Sequence, residues 1–331
     1  MRILFAGTPA IAVASLNVLA EMELAGKGIA LAGILTNPDK RRGRTHEAEP
    51  SDISAAAYAL DVKRQEMGMA PLPQLKPEKL DDQARIKVTA LEPDLLISFA
   101  YGRIFGPRFL ALFPMGGINI HPSMLPKYRG ASPIPAVILA REKETGLCIQ
   151  KLAPEMDSGD ILAEKRFTLC GRETTASLSA DVSQRAAILL GELLADFKAS
   201  SQKGRPQTGE VSYCREIKKE AGLIDWHKSA AEIDAQIRAY TPWPLSFTFR
   251  GDDKLFILEA QVIEQHDETA TSQSITKHGT VIGAGSKGIH IQTGNGILAV
   301  SRLQWQAKKA LEWKAFCNGA RDFIGSMLSS C

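Results

Sequence analysis

Over the first two hundred residues the hydrophobic positions fall in short blocks separated by turn-forming polar residues. Arg2–Ala6 is an apolar run stopped by Gly7-Thr8-Pro9. Ala10–Glu23 follows with apolar residues at helical spacing (Ile11, Ala14, Leu16, Leu19), and Ile29–Thr36 is a second run of the buried kind. Strand, turn, helix and strand in that order predict a βαβ unit, hence a parallel sheet with a right-handed crossover. A polar loop spans 37–50, and Ser51 opens an Ala-rich helix to about Met67. Pro71, Pro73 and Pro77 mark an extended connection, and a further helix leads to Pro93. Leu95–Ala100 and Gly117–His121 read as strands, Ile134–Arg141 as a short helix, Thr145–Leu152 and Ile161–Leu169 as strands, and Thr174–Lys198 as a long helix.

The pattern then changes. Residues 201–209 have the Gly, Pro and Lys content of a linker. Beyond them come a helix over Ser229–Tyr240 and the corner Thr241-Pro242-Trp243-Pro244. Short β runs follow at Leu245–Phe249, Leu255–Ile263, Thr280–Ile282, Gly288–Thr293 and Gly296–Leu303, and a final helix is expected over Leu311–Leu328. Short strands joined by Gly-rich turns suggest a small barrel. The fold expected is therefore an α/β domain with a Rossmann-like parallel sheet over 1–200, a linker at 201–209, and a β-barrel-like domain over 210–331.

Composition narrows the function classes. The 331 residues carry a net charge of +3, so no global basic field points to nucleic acid, and a polyanionic partner must meet a local patch. Five scattered cysteines without a C-x-x-C argue against a disulfide framework or a zinc site and fit a reducing cytoplasm. Neither a signal peptide nor a run of about eighteen apolar residues is visible, so no membrane association is expected. Gly7-Thr8-Pro9 is not G-x-G-x-x-G, which rejects a dinucleotide site.

The chemistry concentrates in Gly116–Asp160. Asn119 and His121 lie two apart on one strand, which puts both side chains on one face at its carboxyl end, where open parallel sheets bind ligands. Asp157 follows in a Gly-containing turn, M-D-S-G-D, from which a carboxylate can lean back toward the imidazole. An amide, an imidazole and a carboxylate are the parts needed to move an acyl group onto an amine. Spacing alone leaves a structural role open for each. The run Ser123-Met124-Leu125-Pro126 after the strand makes a tight loop able to bond a flat heterocycle edge-on. The loop Thr36–Asp52 gathers Lys40, Arg41, Arg42 and Arg44, partly offset by Glu47 and Glu49, and by charge alone could be a solvated loop. Lys218, Lys219, Lys308, Lys309 and Lys314 could form a phosphate stripe, while Trp226, Trp243, Trp305 and Trp313 are expected in core or interdomain packing rather than as base-stacking platforms.

N-I-H-P-S-M-L-P-K-Y-R-G-A-S-P-I followed by M-D-S-G-D resembles the signature of the folate-dependent formyltransferases, as do F-A-G-T-P, S-F-A-Y-G and K-E-T-G in the same order over most of 1–200. The resemblance implies direct transfer of formyl from 10-formyltetrahydrofolate without a metal. Asn119, His121 and Asp157 would be catalytic, with Asn119 and protonated His121 stabilising the oxyanion. Ser123, Met124, Leu125 and Pro126 would line the folate pocket, Met124 standing where the family usually has leucine. The basic loop is similar to one that enters the acceptor stem in the branch of the family acting on initiator methionyl-tRNA. Gly43-Arg44 matches that branch, and Thr45 replaces its last glycine. Arg41, Arg42 and Arg44 would then bind tRNA. I-D-W-H-K-S through P-W-P-L-S-F resembles the second domain of that branch, which implies an OB-like barrel suited to RNA backbone contacts. A monomer is expected. A sugar-nucleotide amine formyltransferase is the alternative with the same chemistry, and an RNA-binding protein on a decayed transferase scaffold is the alternative without it.

Overall fold

A computed structural model describes residues 1–41, 47–197, 203–263 and 277–329. The chain forms two compact units, the first comprising Met1–Pro133, Glu144–Thr168 and Ser179–Arg215, and the second comprising Ile134–Lys143, Leu169–Leu178 and Glu216–Cys331. The apolar runs of the first unit become β1 (Arg2–Gly7), β2 (Ala30–Leu35), the edge strand β5 (Gln74–Leu75), β6 (Leu95–Phe99) and β7 (Gly117–His121), all parallel. Helices α1 (Val13–Leu24), α2 (Asp52–Glu66), α3 (Asp82–Thr89) and α4 (Pro107–Leu110) alternate with them. Every residue of β6 is buried, which is why the sequence there runs apolar without alternation. Tyr101, Phe105, Phe109 and Phe113 extend the core as a ladder of rings with centroids 5.3, 5.4 and 5.8 Å apart. The polar loop expected at 37–50 contains a short antiparallel pairing, β3 (Lys40–Arg41) against β4 (Ala48–Glu49).

The sheet is not parallel throughout. β9 (Glu144–Lys151) runs antiparallel to β7, and β10 (Ile161–Thr168) antiparallel to β9, giving the order β10-β9-β7-β6-β1-β2-β5. β10 folds back on β9 because their connection is short: a reversing turn returns the chain beside itself, where a parallel neighbour would need a longer crossover. That turn carries Asp157. β7 also adjoins the short β8 (Arg129–Gly130) through its following loop, and α5 (Pro133–Leu139) comes next in the chain.

After α6 (Thr175–Ala195) the stretch read as a linker returns to the first unit. Arg205 and Ile161 exchange both backbone hydrogen bonds, at 2.8 and 2.9 Å, and β11 (Tyr213–Cys214) pairs in parallel with β8. Gly130 lies at this junction with φ +114°, and a Cβ there would stand 2.2 Å from the Cys214 carbonyl oxygen, so only glycine fits.

In the second unit α7 (Ala230–Ala239) begins at a capping box made by Ser229 and Glu232. An antiparallel sheet follows in the order β12-β13-β16-β15-β14, built from β12 (Ser246–Arg250), β13 (Asp253–Ile263), β14 (Val281–Gly285), β15 (Gly288–Gln292) and β16 (Ile297–Trp305). Among the described residues no ladder joins its end strands, β12 and β14, directly, and no closed barrel is found. The final helix is shorter than 311–328. Leu311–Glu312 pair with β16 as β17, α8 covers Trp313–Gly319, and the tail then runs extended, bridging Thr280 at Met327 and Phe249 at Ser329. Asn318-Gly319 stops the helix, and the tail gains backbone partners on two strand edges that a helix would leave bare. Trp226 is buried with its Nε1 donating to Thr248 Oγ1 at 3.0 Å, and Trp305 and Trp313 pack on the same core. Trp243 departs from the expectation and is exposed.

A Cβ on Gly159 would lie 1.8 Å from the Lys151 carbonyl oxygen, across the turn that carries Asp157. Gly159→Ala is therefore expected to cost about 1–3 kcal/mol as overpacking, measured as a lowered urea midpoint at unchanged slope. An unchanged midpoint would contradict the tight turn.

Candidate active site

β7 ends at the carboxyl edge of the sheet, and its pleat sets Asn119 and His121 on one face. Across the ladder Asn119 pairs with Gln150 and His121 with Cys148 of β9. The His121 ring is 4% exposed. Its Nε2 lies 2.8 Å from the carbonyl oxygen of Tyr128, a residue in left-handed backbone at φ 58°. A carbonyl only accepts, so Nε2 carries the hydrogen and the neutral ring keeps its lone pair on Nδ1. Nδ1 is 3.5 Å from Asp157 Oδ2, inside Coulombic range but longer than a good hydrogen bond. Burial lowers the pKa of His121 below its ordinary value, against the opposing pull of Asp157 and the Tyr128 carbonyl, and Arg129 lowers it further. Burial thus favours the neutral form of the resting imidazole.

Asp157 is held in its turn at φ 52°. Oδ2 accepts the Gly130 amide at 2.8 Å, Oδ1 accepts Gln150 Nε2 at 2.9 Å, and Asn119 Nδ2 lies 3.5 Å from Oδ1. The structure therefore brings Asn119, His121 and Asp157 together. It also brings in Gly130, Gln150, Arg129 and Gln207, which the sequence reading did not single out. Gln150 had a signal, being a polar residue in the apolar run Leu147-Cys148-Ile149. Gln207, in a Pro- and Gly-rich stretch, had none.

The loop after β7 turns its side chains inward. Ser123 is fully buried with Oγ donating to the Lys127 carbonyl at 2.7 Å. Leu125 joins an apolar cluster with Cys148 and Ile161, against which Met124 packs, and Pro126 is buried. Arg41 is exposed on β3, whereas Arg42 and Arg44 lie outside the described residues. A cleft of about 450 Å³ lined by Leu35, Gln74, Lys76 and Lys87 sits at the β5 edge and shares no residue with Asn119, His121 or Asp157. No cluster of His, Cys, Asp and Glu suited to a metal ion occurs among the described residues.

Residues 1–194 match the family described as formyl transferase, and residues 216–321 match its C-terminal domain. The chain belongs to the formyl transferase family. Its similarity to the methionyl-tRNA formyltransferase of Treponema denticola is 49% identity over 98% of each chain. The methionyl-tRNA formyltransferase of Treponema pallidum is 39% identical over 97% of each. Among solved structures, an N-formyltransferase from Helicobacter canadensis superposes with TM-score 0.60 at 18% identity, covering 90% of this chain and 98% of that one. HypX from Aquifex aeolicus, in complex with tetrahydrofolic acid, gives 0.58 at 16%, covering 98% of this chain and 48% of that one. At these identities the two structures speak to the formyl transferase fold alone.

The neutral tautomer can be read directly. NMR of imidazole nitrogens is expected to show His121 protonated at Nε2, titrating below pH 6.5, with Asp157→Asn moving the midpoint lower still, because the carboxylate opposes the burial. A midpoint above 6.5, or an upward move in Asp157→Asn, would contradict this arrangement.

Proposed function

We propose that this formyl transferase moves the formyl group of 10-formyltetrahydrofolate to the α-amine of methionine charged on initiator tRNA. The observation that carries the reading is the end-to-end likeness to methionyl-tRNA formyltransferase, spanning both halves of the chain. The donor set fits such a co-substrate. On one face of β7 stand an amide N–H of Asn119 with hydrogen-bonding capacity to spare and a lone pair on His121 Nδ1. Those two groups suit an acyl oxygen and an ammonium-forming amine at one carbon, and 10-formyltetrahydrofolate supplies an activated formyl group there.

Asn119, His121 and Asp157 carry the step. The neutral amine attacks, forming a C–N bond as the bond from formyl carbon to N10 breaks. Asn119 Nδ2 donates to the oxygen on which charge develops, a contribution typically worth about 2.7–4 kcal/mol. His121 Nδ1 takes the amine proton and passes it to the departing nitrogen, so its protonated form arises during the step. Asp157 stabilises that imidazolium. Ser123, Met124, Leu125 and Pro126 shape the folate pocket from behind, through packing and backbone, since their side chains are largely inside. Arg41, with Arg42 and Arg44, meets the acceptor stem.

Residues 1–200 hold the catalytic half, on which 203–215 also pack, and the tRNA-binding half follows within 210–331. The tail bridges at Met327 and Ser329, which lie between the end strands of the second sheet, support reading that unit as an OB-like barrel. No helix among the described residues is long and apolar enough to cross a membrane, and a cytoplasmic monomer is the state we infer.

Purified protein given 10-formyltetrahydrofolate is expected to formylate methionyl-initiator tRNA and to leave a sugar-nucleotide amine untouched; the reverse preference would overturn the assignment. Asn119→Ala, His121→Ala and Asp157→Ala should each lower kcat by about 10²–10³ with the thermal transition retained. Neutralising Arg41, Arg42 and Arg44 together should raise KM for tRNA and spare the folate.

A further inference from the structure

The Asp157 carboxylate is also reached from behind, by side chains that do not face the reacting atoms. Arg129, 8% exposed, donates from Nε and Nη2 to Gln207 Oε1 at 3.1 and 2.7 Å. A guanidinium has no acceptor, so the Gln207 carboxamide must present its oxygen to Arg129 and its NH2 to the other side. There Nε2 reaches Gln150 Oε1 at 3.1 Å and the backbone carbonyls of Asp157 and Gly159 at 2.8 Å each. With its oxygen so occupied, Gln150 can offer only N–H, and it donates to Asp157 Oδ1 at 2.9 Å. The chain of donors therefore runs one way, from a cation to a carboxylate. Flipping either amide would set N–H against N–H at one end and oxygen against oxygen at the other.

Asp157 needs such holding. It is a non-glycine residue in left-handed backbone, a conformation kept only where surrounding contacts over-determine it. Gly130 and Gln150 fix its two oxygens, and Gln207 fixes its carbonyl. Gln207 is itself bracketed: Arg205 is paired with Ile161 on one side, and on the other Ser212 accepts the Arg129 amide and its Oγ accepts the Tyr128 amide, both at 2.9 Å. The stretch expected to be a linker is thus laced along the loop that anchors His121.

We propose that Gln207 and Gln150 are positioning residues for the acyl transfer, relaying the Arg129 guanidinium to Asp157 so that Oδ2 stays turned toward His121 Nδ1. The inference rests on the reading of Asn119, His121 and Asp157 as catalytic, and its test separates the two. Gln150→Met removes the donor to Oδ1 at similar volume, and Gln207→Leu removes the upstream link. Each is expected to lower kcat about ten- to hundredfold, the range of a lost hydrogen bond to a charged group, with KM for both substrates within about twofold. The His121 midpoint should fall toward that of Asp157→Asn, since a loosened carboxylate supports the imidazolium less. Because the two glutamines act in one relay, Gln150→Met/Gln207→Leu should be no worse than the poorer single variant. Gln207→Glu, which can accept from Arg129 but cannot donate onward, should be as impaired as Gln207→Leu. Normal kcat in folded Gln150→Met and Gln207→Leu beside an inactive Asp157→Ala would overturn the relay alone. Normal kcat in Asp157→Ala would overturn the catalytic reading beneath it. Additive losses confined to thermal stability would reduce the glutamines to structural glue and overturn the relay. Should the variants fail to fold, the wild-type side-chain amide protons of Gln150 and Gln207 decide: slow solvent exchange is expected, and fast exchange overturns the proposal.

Discussion

The constraint on which the site depends is the pinning of one carboxylate. Asp157 sits in a tight turn with its two oxygens taken up from opposite sides, by the Gly130 amide and the Gln150 carboxamide. Held there, Oδ2 faces Nδ1 of a buried imidazole whose other nitrogen is committed to the Tyr128 carbonyl. Burial and the carboxylate pull His121 in opposite directions, and burial prevails, so the resting ring is a base. Once a proton arrives on Nδ1, the attraction to a carboxylate 3.5 Å away amounts to about 5 kcal/mol at an effective dielectric near 20. In the proposed step, the carboxylate that fails to charge the ring at rest is placed to stabilise the imidazolium once a proton arrives.

Three features of the fold deliver that geometry. The parallel strands bring Asn119 and His121 to the carboxyl edge of the sheet. The reversal at β9 puts Gln150 directly across from Asn119 and returns the chain through the turn that holds Asp157. The β8–β11 pairing presents the Gly130 amide, and at that point glycine is obligatory because a Cβ would run into the Cys214 carbonyl oxygen. A purely parallel sheet would have sent the chain away through a helical crossover and left the carboxylate without its nearby turn.

Much of this was legible in the sequence, for identifiable reasons. Apolar runs broken by Gly and Pro located β1, β2, β6 and β7, and a period of two put Asn119 and His121 on one face before any coordinates. Asp157 was marked by its turn residues. The antiparallel direction of β9 against β7 was not legible, since an apolar run does not state its direction. The role of 203–215 was hidden because polar, Gly- and Pro-containing segments look alike whether they are free or laced onto a surface. The last helix was overextended because Phe316, Phe323 and Leu328 keep an apolar rhythm that an extended tail satisfies equally well. The charge state of His121 could not be read either, because it follows from burial and from a carbonyl seven residues along the chain.

The proposed step requires His121 to be a neutral base at rest. The most direct measurement is the single-turnover rate of formyl transfer from 10-formyltetrahydrofolate to methionyl-initiator tRNA as a function of pH. The rate should rise through one ionisation below pH 6.5, as the ring loses its proton, and a second, higher one from the methionyl α-amine, whose ordinary range is about 7.7–8.0 and which must be neutral to attack. A rate that falls as the imidazole deprotonates, or stays flat through the lower ionisation, would contradict it.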